Sequence, residues 1–120
     1  MVLVDTSVWV SHLREGNSDL VTLLEAGEVV THPFVIGELA CGNLRNRSEI
    51  LSLLQELPMA VQGEYDEALQ FIDHHQLMGK GIGYIDIHLL LSVLLSNAAL
   101  WTLDKKLDAV SGQLGVKRQC

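Results

Sequence analysis

Near the start of the chain, three apolar residues, Val2, Leu3 and Val4, run directly into an acid, Asp5, followed by Thr6 and Ser7. Such a run is too short for a surface strand with alternating faces and is made of β-formers, so it predicts a short central strand buried on both sides. A strand buried on both sides needs a layer of helices above and below it, which restricts the chain to an α/β architecture. Asp5 then falls at the strand's carboxyl end, where open parallel sheets bind their ligands. Thr6 or Ser7 is expected to N-cap a first helix whose apolar side includes Val8, Trp9 and Leu13; the alternative is that Asp5 is itself the cap.

The remaining chain alternates in the way a parallel sheet requires. A turn at Glu15-Gly16-Asn17 leads to a helix capped by Ser18 and stopped by Gly27. Glu28 to Thr31 reads as a second strand, and Pro33 opens a third helix running to about Gly42, since proline at the first helical position loses no hydrogen bond there. A polar break at 43–48 precedes a helix from about Ser48 to Glu56, and Met59 to Val61 is a third short strand. Glu64 to about Leu77 is an amphipathic helix whose acids Glu64, Asp66 and Glu67 suit its positive end and are read as structural. After a glycine-rich loop at 78–83, Tyr84 to about Asn97 is apolar nearly all round and predicts a buried helix. Ala98 to Leu103 is a fourth strand, a last helix runs to about Gln113, and Gly115 to Lys117 is an edge strand. The expected fold is α/β: three layers, α/β/α, around a short parallel sheet of four to five strands, in one domain spanning residues 1–120.

Three further acids fall at places suited to chemistry. Glu38 lies in Phe-Val-Ile-Gly-Glu-Leu-Ala-Cys-Gly and shares a helix face with Phe34 and Cys41, which predicts a core-facing carboxylate in need of a metal or a cationic partner. Asp86 sits in the first turn of the buried helix, and Asp104 follows the fourth strand. If these acids meet Asp5, two charges at ~4 Å in an effective dielectric of ~20 repel by about 4 kcal/mol, so a cluster protonates or holds a cation. An all-oxygen donor set favours Mg²⁺ or Mn²⁺ over zinc. Such ions activate water for in-line displacement at phosphorus, which points to a metal-dependent phosphodiesterase or nuclease.

Composition narrows the context. Fifteen acids against eight bases give a net charge of −7, which opposes non-specific attraction to nucleic acid and leaves bound cations or a local basic patch to provide it. Arg14, Arg45, Arg47, Lys80, Lys105 and Lys106 are the candidates for gripping phosphate. Two cysteines, Cys41 and Cys120, are too few for a disulfide framework, and no signal peptide or membrane span is evident, so a cytoplasmic protein is expected. The loop at 78–83 is not a P-loop, because Lys80 precedes Gly81 instead of Ser or Thr and no strand leads into it. His74 and His75 lack a matching pair for zinc, and His88 is expected to be a hydrogen-bonded core or interface residue.

Val-Asp-Thr-Ser-Val-Trp at the start, Ile-Gly-Glu-Leu-Ala-Cys-Gly in the third helix, Gly-Tyr-Ile-Asp-Ile-His-Leu-Leu and Leu-Trp-Thr-Leu-Asp-Lys-Lys-Leu together resemble PIN-domain ribonucleases, in particular the VapC toxins of bacterial toxin–antitoxin pairs. The resemblance implies that Asp5, Glu38, Asp86 and Asp104 form an acidic Mg²⁺ site. Thr6 and Ser7 would be supporting hydroxyls, and Thr102 would orient the fourth acid. It also implies a homodimer, an RNA substrate cut by a metal-activated water, and a small antitoxin covering the site. One departure is Ser11, where similar proteins often carry an acid. Two other readings remain: a non-catalytic PIN-like module that binds RNA or protein, and a phosphoacceptor receiver domain, which would want adjacent acids after the first strand where Thr6 follows Asp5.

Overall fold

Strand β1 (Val2–Val4) lies between β2 (Val29–Val30) and β3 (Ala99–Trp101) in a parallel sheet of order β2-β1-β3, in a computed structural model that describes residues 1–119. Val2 and Leu3 pair with Val29 and Val30 on one side, and Val2, Leu3 and Val4 with Ala99, Leu100 and Trp101 on the other. All three residues of β1 are buried, as their unbroken apolar character requires. Because the chain goes from β1 to one neighbour and later crosses to the other, the strand order reverses at β1. The crevice of such a sheet opens at that point, beyond the strand carboxyl ends, and Asp5 stands there.

The sheet is shorter in named strands than the four to five expected. Met59 to Val61 contributes only a parallel bridge from Met59 to Thr31, and Gly115 to Lys117 only a parallel bridge from Lys117 to Leu100. Both segments flank the sheet, Gly115 to Lys117 at an edge as expected, but each is held by too few backbone bonds to make a strand. At the β2 side these bonds are Thr31 N to Pro58 O and Ala60 N to Thr31 O; at the β3 side they are Leu100 N to Val116 O and Arg118 N to Leu100 O.

Among the described residues seven helices surround the strands: α1 (Thr6–Glu15), α2 (Ser18–Glu25), α3 (Pro33–Ala40), α4 (Arg47–Gln55), α5 (Tyr65–His75), α6 (Tyr84–Ser96) and α7 (Lys105–Gln113). Helix α3 packs on α1 and α4, whereas α6 packs on α5, β1 and β3. Residues 87–93 of α6 are all buried, with Leu89 and Leu90 fully so, which matches its nearly continuous apolar sequence. Asn97 then adopts the left-handed conformation that asparagine tolerates, ending α6 two residues before β3.

Two local expectations, the cap of α2 and the burial of Leu13, are corrected. Asn17, not Ser18, caps α2, its Oδ1 accepting from Leu20 N at 3.1 Å. Leu13 is exposed, because it lies at the solvent edge of α1 while Val8 and Trp9 face the core. His32 precedes Pro33 as the cap of α3, with Nδ1 accepting from Phe34 N at 2.9 Å. Cys41 is a free, exposed thiol, and Cys120 lies outside the described residues. Among the described residues no helix is long and apolar enough to cross a membrane.

Candidate active site

Asp5 occupies the N-cap position of α1, yet its carboxylate does not cap, and Thr6 and Ser7 do not cap either. The backbone carbonyl of Asp5 accepts the first bonds of α1, from Val8 N and Trp9 N, so all three side chains are free for other work. Ser7 Oγ donates to Asp5 Oδ2 at 2.8 Å and Thr102 Oγ1 donates to the same oxygen at 2.7 Å. Each hydroxyl also accepts a backbone N–H, Ser7 from Leu103 at 3.0 Å and Thr102 from Asp104 at 3.0 Å. A hydroxyl has one proton to give. An ionised carboxylate only accepts, so both hydroxyls give their proton to Asp5, which is itself buried at 7% exposure, while the two backbone donors hold the hydroxyl oxygens in place. The carboxylate is held at one oxygen by two donors brought from opposite ends of the chain.

The other acids are held in the same manner. Glu38 Oε1 accepts from Thr6 Oγ1 at 2.7 Å, and Asp86 Oδ2 accepts from Gly83 N at 3.1 Å. Asp104 caps α7, its Oδ1 accepting from Lys106 N at 2.9 Å and Leu107 N at 3.0 Å. In every case one carboxylate oxygen is anchored to a neighbouring donor, and the second has no hydrogen bond among the described residues.

Asp86 registers all of its neighbours. Burial raises its carboxyl above the ordinary value, the Gly83 N–H works in the opposite direction, and the charges of Asp5, Asp104 and Glu38 raise it further. The tertiary fold thus brings the four acids into one electrostatic field, from β1, α3, α6 and the turn after β3. They are neighbours and not a closed cage: among the described residues no three His, Cys, Asp or Glu side chains stand at the spacing of common metal ligands. The donor set itself, hard oxygens with no nitrogen or sulfur, suits Mg²⁺ or Mn²⁺.

Glu38 corrects a prediction. It is exposed, as are Phe34 and Cys41 on the same face of α3, so that face borders the site instead of entering the core. The apolar neighbours in sequence misled because Val35, Ile36 and Leu39 bury the opposite side. His88 is buried, as expected, but among rings, at 5.2 Å from Phe34 and 4.6 Å from Tyr84 in edge-to-face geometry, and among the described residues it makes no hydrogen bond. Burial lowers its pKa, and burial together with His88 pushes His32 down to about 4, so both imidazoles are neutral near pH 7. With Nδ1 of His32 accepting, its proton lies on Nε2, which is buried and without a partner among the described residues.

The basic candidates divide. Arg14 and Arg45 line a separate cavity of about 400 Å³ with Val10 and Ile50, and Arg47 bonds the Ala40 carbonyl through Nε and Nη2. Lys106 lies against Gly81: a Cβ there would stand 2.7 Å from its Cδ, and Gly81 has φ +79°. Lys106 thereby joins the glycine loop to the start of α7, two residues from Asp104. His74 packs on His75, and His75 on Phe71.

Thr102→Val tests the anchoring of Asp5, because valine keeps the shape and removes both the donor and the acceptor. It is expected to cost about 10- to 100-fold in any turnover that depends on the four acids, the usual effect of freeing a supporting partner. Turnover and the melting curve should be measured together, since a loss of turnover matched by a collapse of stability would defeat this assignment.

Set against known proteins, residues 2–113 match the PIN domain. The chain is 44% identical over 117 residues, 97% of its own length and 94% of the relative's, to Ribonuclease VapC32 of Mycobacterium tuberculosis, in strain CDC 1551 / Oshkosh and equally in strain ATCC 25618 / H37Rv.

Proposed function

The chain belongs to the PIN-domain family, among its VapC-type ribonucleases, and from that premise we propose that it is a divalent-metal-dependent endoribonuclease acting as the toxin of a toxin–antitoxin pair. The observation that carries this reading is the shared design of the four acids. Asp5, Glu38, Asp86 and Asp104 each keep one oxygen anchored and, among the described residues, one oxygen open, and the other three act on the ionisation of Asp86. The open oxygens would hold Mg²⁺ or Mn²⁺. When bound, the cation supplies charge neutralisation at the scissile phosphate and acidifies the attacking water.

The chain's own residues supply position. Ser7 and Thr102 fix Asp5, Thr6 fixes Glu38, and the start of α7 fixes Asp104, so the negative field is set before substrate arrives. A net charge of −7 would repel RNA, and a cation held by these four acids would offset that repulsion at the scissile phosphate. A cytoplasmic setting, one PIN domain over residues 1–120, a homodimer and a small cognate antitoxin that covers the site complete the proposal. A receiver domain is set aside, because the family is that of PIN domains.

The test is direct. Purified protein incubated with total cellular RNA is expected to give discrete fragments in Mg²⁺ and none in excess EDTA. Fragments of equal yield in both conditions would remove the metal; no fragments in either, with RNA still bound, would leave a binding module and not an enzyme.

A further inference from the structure

Two aromatic rings stand exposed beside the acids and are joined through a third. Phe34, 38% exposed, lies one turn before Glu38 on the same face of α3, and Tyr84, 44% exposed, opens α6 two residues before Asp86. Both pack edge-to-face on His88, at interplanar angles of 82° and 84°. His32 supports Phe34 from behind, with ring centroids 4.9 Å apart and a hydrogen bond to the Phe34 backbone. Since each ring offers an edge or one side to the imidazoles, the pair is braced from within while solvent reaches the remainder.

We propose that Phe34 and Tyr84 form a stacking shelf that receives an unpaired nucleobase next to the scissile phosphate. The inference rests on the ribonuclease reading and adds residues to it that the acids do not account for. Its physical basis is that a −7 chain has little attraction for the RNA backbone, whereas base stacking on aromatic rings is indifferent to that charge. Phe34 has no polar atom and Tyr84 only its phenol, which can give a phosphate one hydrogen bond but no charge, so what the pair chiefly offers is a π-face. The four rings leave the shelf without a formal charge to bind a free anion. Bases held in a duplex cannot reach it, so it selects RNA whose bases are unstacked at the cut.

Each ring belongs to an element that carries a site acid, Glu38 on α3 and Asp86 on α6. A base resting on the shelf therefore fixes its own backbone relative to those carboxylates. Phe34 and Tyr84 act as substrate-positioning residues, and their loss should appear mainly in KM.

The experiment compares Phe34→Leu and Tyr84→Leu, which keep apolar bulk against His88, with the ring-preserving Phe34→Tyr and Tyr84→Phe. The full chain is titrated in EDTA into a single-stranded RNA oligonucleotide carrying 2-aminopurine, whose fluorescence falls on stacking, and cleavage is followed separately in Mg²⁺. Each leucine variant is expected to bind roughly 10-fold more weakly, to lose most of the quenching and to raise KM more than it lowers kcat. The ring-preserving variants are expected to keep the quenching. Leucine variants that bind and quench like the wild type overturn the shelf while wild-type cleavage leaves the ribonuclease reading intact. A leucine variant that instead changes the sedimenting mass, with RNA binding unaltered, also overturns it and makes this face a contact between copies. A wild-type chain that neither binds nor cuts the oligonucleotide or total RNA defeats both.

Discussion

Asp5→Asn is expected to lower kcat for Mg²⁺-dependent RNA cleavage by at least about 10³-fold while the protein remains folded. The exchange is nearly isosteric, and the asparagine carbonyl can accept the hydroxyl protons of Ser7 and Thr102 that Asp5 Oδ2 accepts now. What it removes is the charge on the acid at the centre of the anchoring network. The melting temperature in EDTA is expected to equal or exceed that of the wild type, because one of the charges raising the Asp86 carboxyl is gone. Turnover on a defined RNA and a thermal melt in EDTA check the two halves. Wild-type turnover by the variant would end the proposed mechanism; lost turnover with an unfolded chain would show a structural carboxylate instead.

The second large effect is thermal. A cation that binds only the folded chain stabilises it by about 2.7 kcal/mol at a hundred times its dissociation constant, which corresponds to a rise of about 10 °C for a domain of this size. Titrating Mg²⁺ to millimolar concentration is expected to approach that rise. No shift at any concentration would argue against a bound ion.

Asp86 adds a pH dependence of definite sign. Its folded-state pKa is raised, by burial first and by its acidic neighbours after that. The folded chain therefore keeps a proton where the unfolded chain has lost one, so stability declines as the pH rises from the unfolded value through the folded one. At neutral pH Asp86 opposes folding, and Asp86→Asn, whose side-chain carbonyl can still accept from Gly83 N, is expected to melt higher than wild type in EDTA. The gain should fade as the pH is lowered below the ordinary carboxylate range. The same variant should lose most of the Mg²⁺-induced rise. A variant that melts lower than wild type at pH 7 and still responds fully to Mg²⁺ would contradict both the charge argument and the proposed ligand.

These effects depend on features that differ in how far the sequence revealed them. Val2 to Val4 declared a doubly buried strand because no polar residue interrupts it, and the structure buries all three. The same logic exposed α6, whose apolar residues leave no solvent face at 87–93. Asp104 was legible as the acid that follows the fourth strand, and it lies just beyond β3 at the start of α7. Edge segments were less legible: Met59 to Val61 and Gly115 to Lys117 run beside the sheet, yet each makes only an isolated bridge. An edge position exposes half the backbone to water, so local propensity does not fix the length of pairing there.

Sequence alone determined the chemistry on offer: four acids set at a strand end, on two helices and after a last strand, with no histidine or cysteine among them. It misjudged Glu38, because apolar neighbours along a helix describe the opposite face as readily as its own. Only the tertiary structure decided that Thr6 serves Glu38, that Ser7 and Thr102 converge on one oxygen of Asp5, and that Phe34 and Tyr84 share His88. The physical reason is range. Helix and strand periodicity acts over a few residues, whereas the bond from Thr102 to Asp5 joins positions 97 apart, and such a bond exists only once β1 and β3 have paired.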